Sequence, residues 1–222
     1  MKHFGVNLRA EPFEMSRDAY AIIDNRCSLS FCPSNAKRLG DGSVVYPDEW
    51  CREHKKRCLI NYDINMKYFQ SLNHDAFEKA LQRFLKTNKK FIEVHDLNEY
   101  KDEPGYYILM LDRYCQVYIG TTVNSIKSRI LHHWSEKQPF DRLLFGGILE
   151  TYVQQSKISI DSFRALDTTR IFAYKTNRTY LSEEKYISRF SPQYVTNRLA
   201  GGIQGPTLNP NELMITMERM KR

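Results

Sequence analysis

The feature that most constrains this chain is a pair of short strand-like segments separated by four residues. GYYILML (residues 105–111) and QVYIGTT (116–122) consist largely of β-branched, aromatic and other apolar residues, and DRYC (112–115) lies between them. Connections of this length are common in β-hairpins. The sequence therefore predicts two antiparallel strands, each with a tyrosine at its third position, Tyr107 and Tyr118.

The composition of the chain limits its size class and its partners. Its 222 residues, 41% of them hydrophobic, suffice for one core of ordinary size or for a domain with a small appendage. The net charge of +7 favours an anionic partner, most commonly nucleic acid, although a solvated basic surface without a partner has the same charge. No segment approaches the roughly 18 apolar residues of a membrane span, and the N-terminal segment lacks the apolar core of a signal peptide. We therefore expect a cytoplasmic protein with no membrane partner, whose cysteines are thiols or metal ligands.

A helix is predicted shortly before the hairpin. In DAFEKALQRFLKTNKK (75–90), five apolar residues recur at helical spacing: Phe77, Ala80, Leu81, Phe84 and Leu85. Asp75 and Glu78 form a reasonable capping pair at its start. KDEPG (101–105) is rich in turn-forming residues, so a second unit is expected to begin near residue 103.

The segments after the hairpin alternate between helical and strand patterns. The sequence predicts a helix at 125–137 capped by Asn124, a helix at 138–156 interrupted at Gly146-Gly147, a strand at 169–176, and a helix at 182–192 ended by Pro192. Together with the hairpin, these elements predict an α+β fold with a three-stranded sheet, flanking helices and the order β-β-α-α-β-α.

Several reactive side chains follow the hairpin at regular spacing. Arg129 and His133 are four residues apart and therefore share one edge of the predicted helix. Glu183 opens the final helix, where a carboxylate could serve as a metal ligand. Each feature alone also has an ordinary explanation: packing for the strand tyrosines, a solvated edge for the Arg-His pair, and a favourable dipole contact for the glutamate.

The joint pattern of these residues resembles the GIY-YIG nuclease family over residues 103–198. The matching motifs are Gly105-Tyr106-Tyr107, Tyr118-Ile119-Gly120, Arg129-x-x-x-His133, Glu183 followed by Tyr186-Ile187, and Asn197. Two features depart from the family: Tyr106 stands where the family has isoleucine, and a long insertion precedes the third strand.

The resemblance implies a metal-dependent DNA endonuclease that hydrolyses phosphodiester bonds, of restriction, homing, mobile-element or repair type. It implies that Tyr107 is a general base or water-orienting group, that Tyr118 orients water or phosphate, and that His133 shuttles a proton or binds phosphate. Glu183 would hold Mg²⁺ or Mn²⁺, and Lys127, Arg129 and Asn197 would contact DNA. A homodimer is one way for such a fold to cut both strands. The alternative is a non-catalytic, zinc-containing nucleic-acid-binding module.

The first part of the chain contains four of the five cysteines. Cys27-x4-Cys32 and Cys51-x2-His54 have the spacing of a structural Zn²⁺ site, with Cys58 a competing fourth ligand and free thiols the alternative. The pattern also resembles small C-x4-C, C-x2-H fingers. The predicted organisation is a cysteine-rich, zinc-binding region (1–65), an amphipathic helix and linker (66–102), a nuclease-like domain (103–198) and a C-terminal tail (199–222).

Overall fold

The computed structural model describes residues 1–9, 13–28, 36–144, 157–178 and 183–197. The described residues form two compact units. The first comprises Met1–Met15, Phe69–Glu136 and Phe163–Asn197, and the second comprises Ser16–Tyr68 and Lys137–Ser162. Cys32, the predicted Gly146-Gly147 interruption and the predicted tail lie outside the described residues.

The helices and strands are short except in two places. The strands are β1 (Lys2–His3), β2 (Val6–Asn7), β3 (Lys37–Arg38), β4 (Val44–Val45), β5 (Ile92–Glu93), β6 (Gly105–Leu111), β7 (Gln116–Thr122) and β8 (Arg170–Lys175). The α-helices are α1 (Arg17–Tyr20), α2 (Asp48–Gln70), α3 (His74–Thr87), α4 (Ile126–Ser135) and α5 (Glu184–Ile187). No helix in the described part of the chain is both long enough and apolar enough to cross a membrane.

The main sheet of the first unit has four antiparallel strands in the order β5-β8-β6-β7. The fold is therefore α+β, and β6, β7 and β8 lie where the sequence predicts them. The prediction of three strands is wrong because β5 adds a fourth: Ile92 and Glu93 pair with Ala173 and Phe172. A two-residue strand has no room for an alternating pattern, so the sequence contains no signal for it.

The two faces of this sheet pack against different helices. On one face, Tyr106, Ile108 and Met110 join a buried cluster with apolar residues of α3, including Phe77 and Leu81. On the other face lie Tyr107, Leu109 and Tyr118, and α4 contacts β6 and β7 there. Because side chains alternate along a strand, consecutive tyrosines of β6 point to opposite faces.

Both long helices predicted within the first unit begin differently from expectation. The side chain of Asn73, rather than Asp75, caps α3 by accepting from the backbone N–H of Ala76 at 2.8 Å. Glu78 is not part of a capping box but pairs with Arg170 of β8 at 2.8 Å. Likewise, Ser125 rather than Asn124 caps α4.

The two predicted helices on either side of β8, at 138–156 and 182–192, also differ from the prediction. Phe140–Arg142 forms a 3-10 turn rather than the start of an α-helix. The final helix, predicted over 182–192, is a single turn, α5, followed by a 3-10 turn at Pro192–Tyr194. Proline disfavours helical backbone at the residue before it, and Ser191 is extended there, but α5 already ends at Ile187.

The longest helix, α2, runs through the region that the sequence suggests is loop-like and cysteine-rich. Its buried stripe in the second unit begins with Cys51, His54, Cys58, Asn61 and Asn65 and ends with Tyr68. The asparagines are satisfied inside the unit: Asn61 donates to the Tyr20 hydroxyl at 3.1 Å, and Asn65 donates to the Asn61 carbonyl at 2.8 Å. The predicted boundary at 65/66 therefore falls inside a continuous helix.

Candidate active site

The pairing register of the hairpin determines where the two tyrosines lie. Tyr107 is directly opposite Gly120, and Tyr118 is directly opposite Leu109. Positions two apart on a strand share a face, so Tyr107 and Tyr118 are diagonal neighbours on the α4 side of the sheet. Their ring centroids are 6.2 Å apart.

Gly120 allows the Tyr107 ring to lie against β7. A Cβ atom built on Gly120 would be 2.3 Å from both Cζ and the hydroxyl oxygen of Tyr107. No side chain fits at that distance, so the glycine is required by close approach of the ring. The Tyr107 side chain is fully buried as a result.

Helix α4 brings an imidazole and a guanidinium to the same place. Ile126, Ile130 and Trp134 are buried, and this anchors the helix. The Tyr107 hydroxyl and His133 Nε2 form a buried hydrogen bond of 2.8 Å, and the ring of Tyr118 packs edge-on against His133 with centroids 4.9 Å apart. The side chain of Arg129 also hydrogen-bonds to the Tyr107 hydroxyl.

Residues 183–197 run along the outer edge of β7. The backbone N–H of Thr196 donates to the Val117 carbonyl at 2.9 Å, and the backbone N–H of Thr121 donates to Glu183. Between them, the Asn197 side chain accepts from the N–H of Ile119 at 2.9 Å and donates to its carbonyl at 2.6 Å. The Asn197 amide therefore pairs with the strand as a neighbouring backbone would, and the same edge holds Glu183.

The electrostatics of the cluster oppose ionisation of both acids. Burial raises the pKa of Tyr107 well above its usual value, Tyr118 and Glu183 raise it further, and Arg129 partly offsets the rise. Burial also raises the pKa of Glu183, while Arg129 and the Thr121 N–H lower it in part. A phenol with a raised pKa keeps its proton, so the Tyr107 hydroxyl can donate to Nε2 of the His133 tautomer whose own proton is on Nδ1, while it accepts from Arg129.

The predicted DNA contacts occupy three different environments. Arg129 is half-buried within the cluster, whereas Lys127 lies on α4 with its Nζ donating to Asn98 Oδ1 at 2.7 Å. Asn197 is buried and is occupied by the backbone of Ile119. The structure therefore gives Asn197 a positioning role on the strand that carries Tyr118, a role for which the sequence holds no spacing signal.

Two of the four predicted zinc ligands lie in a helix rather than in a knuckle loop. Cys51 and His54 are one turn apart on α2, and the ring nitrogen Nε2 of His54 donates to the Phe140 carbonyl at 2.8 Å. The Cys27 thiol donates to the Tyr46 hydroxyl at 3.4 Å. Burial raises the pKa of Cys58 to about 12, which favours the thiol over the metal-binding thiolate.

Within residues 1–9, 13–28, 36–144, 157–178 and 183–197, no three His, Cys, Asp or Glu side chains are close enough together to hold a metal ion. Among these residues, Glu183 is therefore not part of a three-ligand set, and its charge acts on Tyr107 and is offset by that of Arg129. Comparison of the chain with protein-family models, curated proteins and solved structures found no match.

Proposed function

We propose that this protein is a metal-dependent endonuclease of the GIY-YIG type that hydrolyses phosphodiester bonds in DNA. The observation that supports this most is the convergence on one phenol: Tyr107 is hydrogen-bonded to His133 and Arg129, and it lies within electrostatic reach of Glu183. A phosphate-binding cation, a proton acceptor and a carboxylate in one place are the groups that phosphodiester hydrolysis requires.

A divalent cation fits the carboxylate that the cluster provides. Burial disfavours the ionised form of Glu183, and Arg129 compensates only in part, so further positive charge would be stabilising. Mg²⁺ binds hard oxygen ligands and commonly keeps several waters, so one protein carboxylate suffices to hold it. When bound, the ion would neutralise charge on the phosphate and lower the pKa of a bound water.

The hydrogen bond between Tyr107 and His133 suggests how the chain removes a proton from the attacking water. As the water attacks phosphorus and the bond from phosphorus to the leaving sugar oxygen breaks, the water's proton passes to the Tyr107 hydroxyl oxygen, while the hydroxyl proton passes to Nε2 of neutral His133 over 2.8 Å. The leaving oxygen takes its proton from solvent. This relay avoids a free phenolate, which the raised pKa of Tyr107 disfavours. Tyr118, packed against His133, keeps the imidazole ring in place.

Arg129 would bind the scissile phosphate in this scheme. Its guanidinium carries a permanent charge and paired donors, which suit a phosphate better than a lysine would. One of its donors is directed to the Tyr107 hydroxyl. A guanidinium carries five N–H donors in all, so the same side chain would hold the scissile phosphate beside that hydroxyl, where water would attack.

A plasmid-nicking assay with Mg²⁺ tests the proposal. Glu183→Gln keeps the shape of the side chain but removes its charge, and we expect it to lower the nicking rate about 100-fold or more. Glu184→Gln is the matched control, because Glu184 is the adjacent, exposed carboxylate of α5. Equal loss in both variants would contradict the assignment of Glu183. Binding of DNA without any nicking by the wild type would favour a non-catalytic nucleic-acid-binding module.

A further inference from the structure

A row of side chains crosses the sheet on the face opposite Tyr107. Thr121 of β7 pairs with Tyr106 of β6, and Tyr106 pairs with Tyr174 of β8. The Tyr106 and Tyr174 rings stack with centroids 6.1 Å apart and an interplanar angle of 20°. Since neighbouring strands lie roughly 4.8 Å apart, the row spans about 10 Å.

One end of this row adjoins the candidate active site. The backbone N–H of Thr121 donates to Glu183. Burial raises the pKa of Tyr106, the neighbouring tyrosines raise it further, and the Glu183 carboxylate contributes as well, which places this phenol within electrostatic reach of the carboxylate. Tyr106 is the residue that departs from the family motif, so this row is a feature of this chain.

The other end of the row is exposed and positively charged. Lys90 donates from Nζ to the Tyr174 hydroxyl at 3.4 Å, and Nζ is 5.3 Å from the centroid of that ring. Thr176 also hydrogen-bonds to the Tyr174 hydroxyl, and together with Lys90 and Arg178 it lowers the pKa of Tyr174. Lys90 therefore lies at the Tyr174 hydroxyl, and the charge of Arg178 acts on the same hydroxyl.

No carboxylate neutralises these two cations in the part of the chain that the structure describes. Neither Lys90 nor Arg178 has an aspartate or glutamate oxygen within 4 Å there, although Lys175, one residue after Tyr174, pairs with Glu103 at 3.3 Å. Unpaired, exposed cations beside hydroxyl donors are suited to a phosphate oxygen. The stacked rings of Tyr106 and Tyr174 would hold these donors at a fixed distance from Glu183.

We propose that Lys90, Arg178 and the Tyr174 hydroxyl bind a second phosphate of the substrate, at the end of the row that is farther from the catalytic cluster. This inference rests on the proposed endonuclease function and deepens it. Contacts of this kind fix the register of a nucleic-acid strand without reading its sequence. Tyr106 is then a positioning residue that connects the second phosphate site to the catalytic cluster.

Binding measurements with a cleavage-deficient protein test this proposal. In the Glu183→Gln background, fluorescence anisotropy with a labelled duplex and with a labelled single strand gives the affinity at several salt concentrations. Lys90→Gln should weaken binding and reduce the slope of log affinity against log salt by about 1. Lys89→Gln removes the same charge from the adjacent exposed residue and should leave that slope unchanged.

Tyr174→Phe supplies a second variant that keeps the ring stack. It should weaken binding less than Lys90→Gln does, because one neutral donor is lost rather than a charge. The second phosphate site is overturned if Lys90→Gln and Lys89→Gln behave alike, or if neither probe binds. If the wild type binds through Lys90 but does not nick DNA, the endonuclease proposal fails while this site stands.

Discussion

Two buried histidines of this chain, His133 and His54, differ in the atom that their ring nitrogen meets. Both are predicted from sequence spacing to be functional, His133 from its position four residues after Arg129 on a helix and His54 from the Cys51-x2-His54 zinc pattern. Their residues are only 2% and 7% exposed. His133 Nε2 meets the Tyr107 hydroxyl at 2.8 Å, whereas His54 Nε2 meets the Phe140 backbone carbonyl at the same distance. Burial and spacing therefore do not distinguish them, but their partners do.

A carbonyl oxygen can only accept a hydrogen bond, so it fixes the His54 ring without exchanging a proton with it. Stacking on Trp50, with centroids 4.6 Å apart, fixes it further. Tyr107, in contrast, can both donate and accept, and it lies beside a guanidinium and a carboxylate. We infer that a buried histidine is reactive when its partner can itself gain or lose a proton.

The largest expected effect comes from replacing the two histidines in parallel. His133→Gln should reduce the rate of plasmid nicking by about 10²–10⁴-fold, because the proton acceptor for Tyr107 is lost. His54→Gln should leave the rate per folded molecule within a few-fold of wild type. Single-turnover nicking, normalised to the folded fraction measured by circular dichroism, gives both values. A comparable loss in His54→Gln would remove the distinction between the two histidines.

Replacing Gly120 tests the position of Tyr107, the hydrogen-bond partner that distinguishes His133 from His54. Gly120→Ala places a methyl group where the Tyr107 ring lies, so it should reduce the free energy of unfolding by about 1–3 kcal/mol and displace the phenol from His133. Gly40→Ala is the control, because a Cβ there meets nothing within 4 Å. Urea unfolding of the two variants checks this. Equal stability would mean that Tyr107 does not lie against β7.

The parts of the fold that the sequence predicts well are those with apolar periodicity. Alternating and continuous apolar runs identify β6, β7 and β8, and four buried apolar residues at helical spacing identify α3. Helix starts are predicted less well, because Asn73 and Ser125 cap the helices although other polar neighbours fit the same pattern. Such choices depend on backbone geometry that composition does not encode.

Helix α2 shows why the second unit could not be predicted in the same way. Its buried positions from Cys51 to Asn65 hold cysteine, histidine and asparagine. In a sequence, these residue types indicate metal ligands and turns rather than the buried face of a helix. They are stable inside because tertiary partners satisfy them, such as Tyr20 for Asn61. For the candidate site, motif spacing identifies residues that the fold brings together around Tyr107. The bonds of Asn197 along β7 depend on a fold that spacing does not describe.

A smaller effect should appear in the pH dependence of stability. Burial lowers the pKa of His54, and the bond to Phe140 only partly compensates. The unfolded chain, with a pKa near 6.5, then binds the proton more readily than the folded one. The stability that depends on neutral His54 is therefore present above about pH 6.5 and lost as the pH falls through the folded pKa. Urea unfolding should show a flatter profile for His54→Gln between about pH 7.5 and 5.5.

The zinc prediction for Cys27, Cys32, Cys51 and His54 is tested by the same variant. A zinc-bound protein would contain about one equivalent of metal, would lose it in His54→Gln and would be destabilised by a chelator. The His54–Phe140 bond instead predicts that the pH profile of the wild type is the same with and without a chelator. Metal analysis alongside the unfolding experiment separates the two outcomes.

The smallest expected effect concerns Glu183, whose burial cost is only partly offset by Arg129 and the Thr121 N–H. The raised pKa of Glu183 means that its contribution to stability is present below the unfolded pKa, near 4.3, and is lost as the pH rises through the folded pKa. At neutral pH and without metal, Glu183→Gln should therefore have a slightly higher Tm than wild type, while Glu184→Gln should not. Mg²⁺ should raise the Tm of the wild type and of Glu184→Gln but not that of Glu183→Gln. A bound cation would stabilise the ionised carboxylate of Glu183, and the glutamine has no such charge to stabilise. A lower Tm for Glu183→Gln would mean that the fold itself already stabilises the charge of Glu183. Equal stabilisation of all three proteins by Mg²⁺ would mean that Glu183 does not bind the cation.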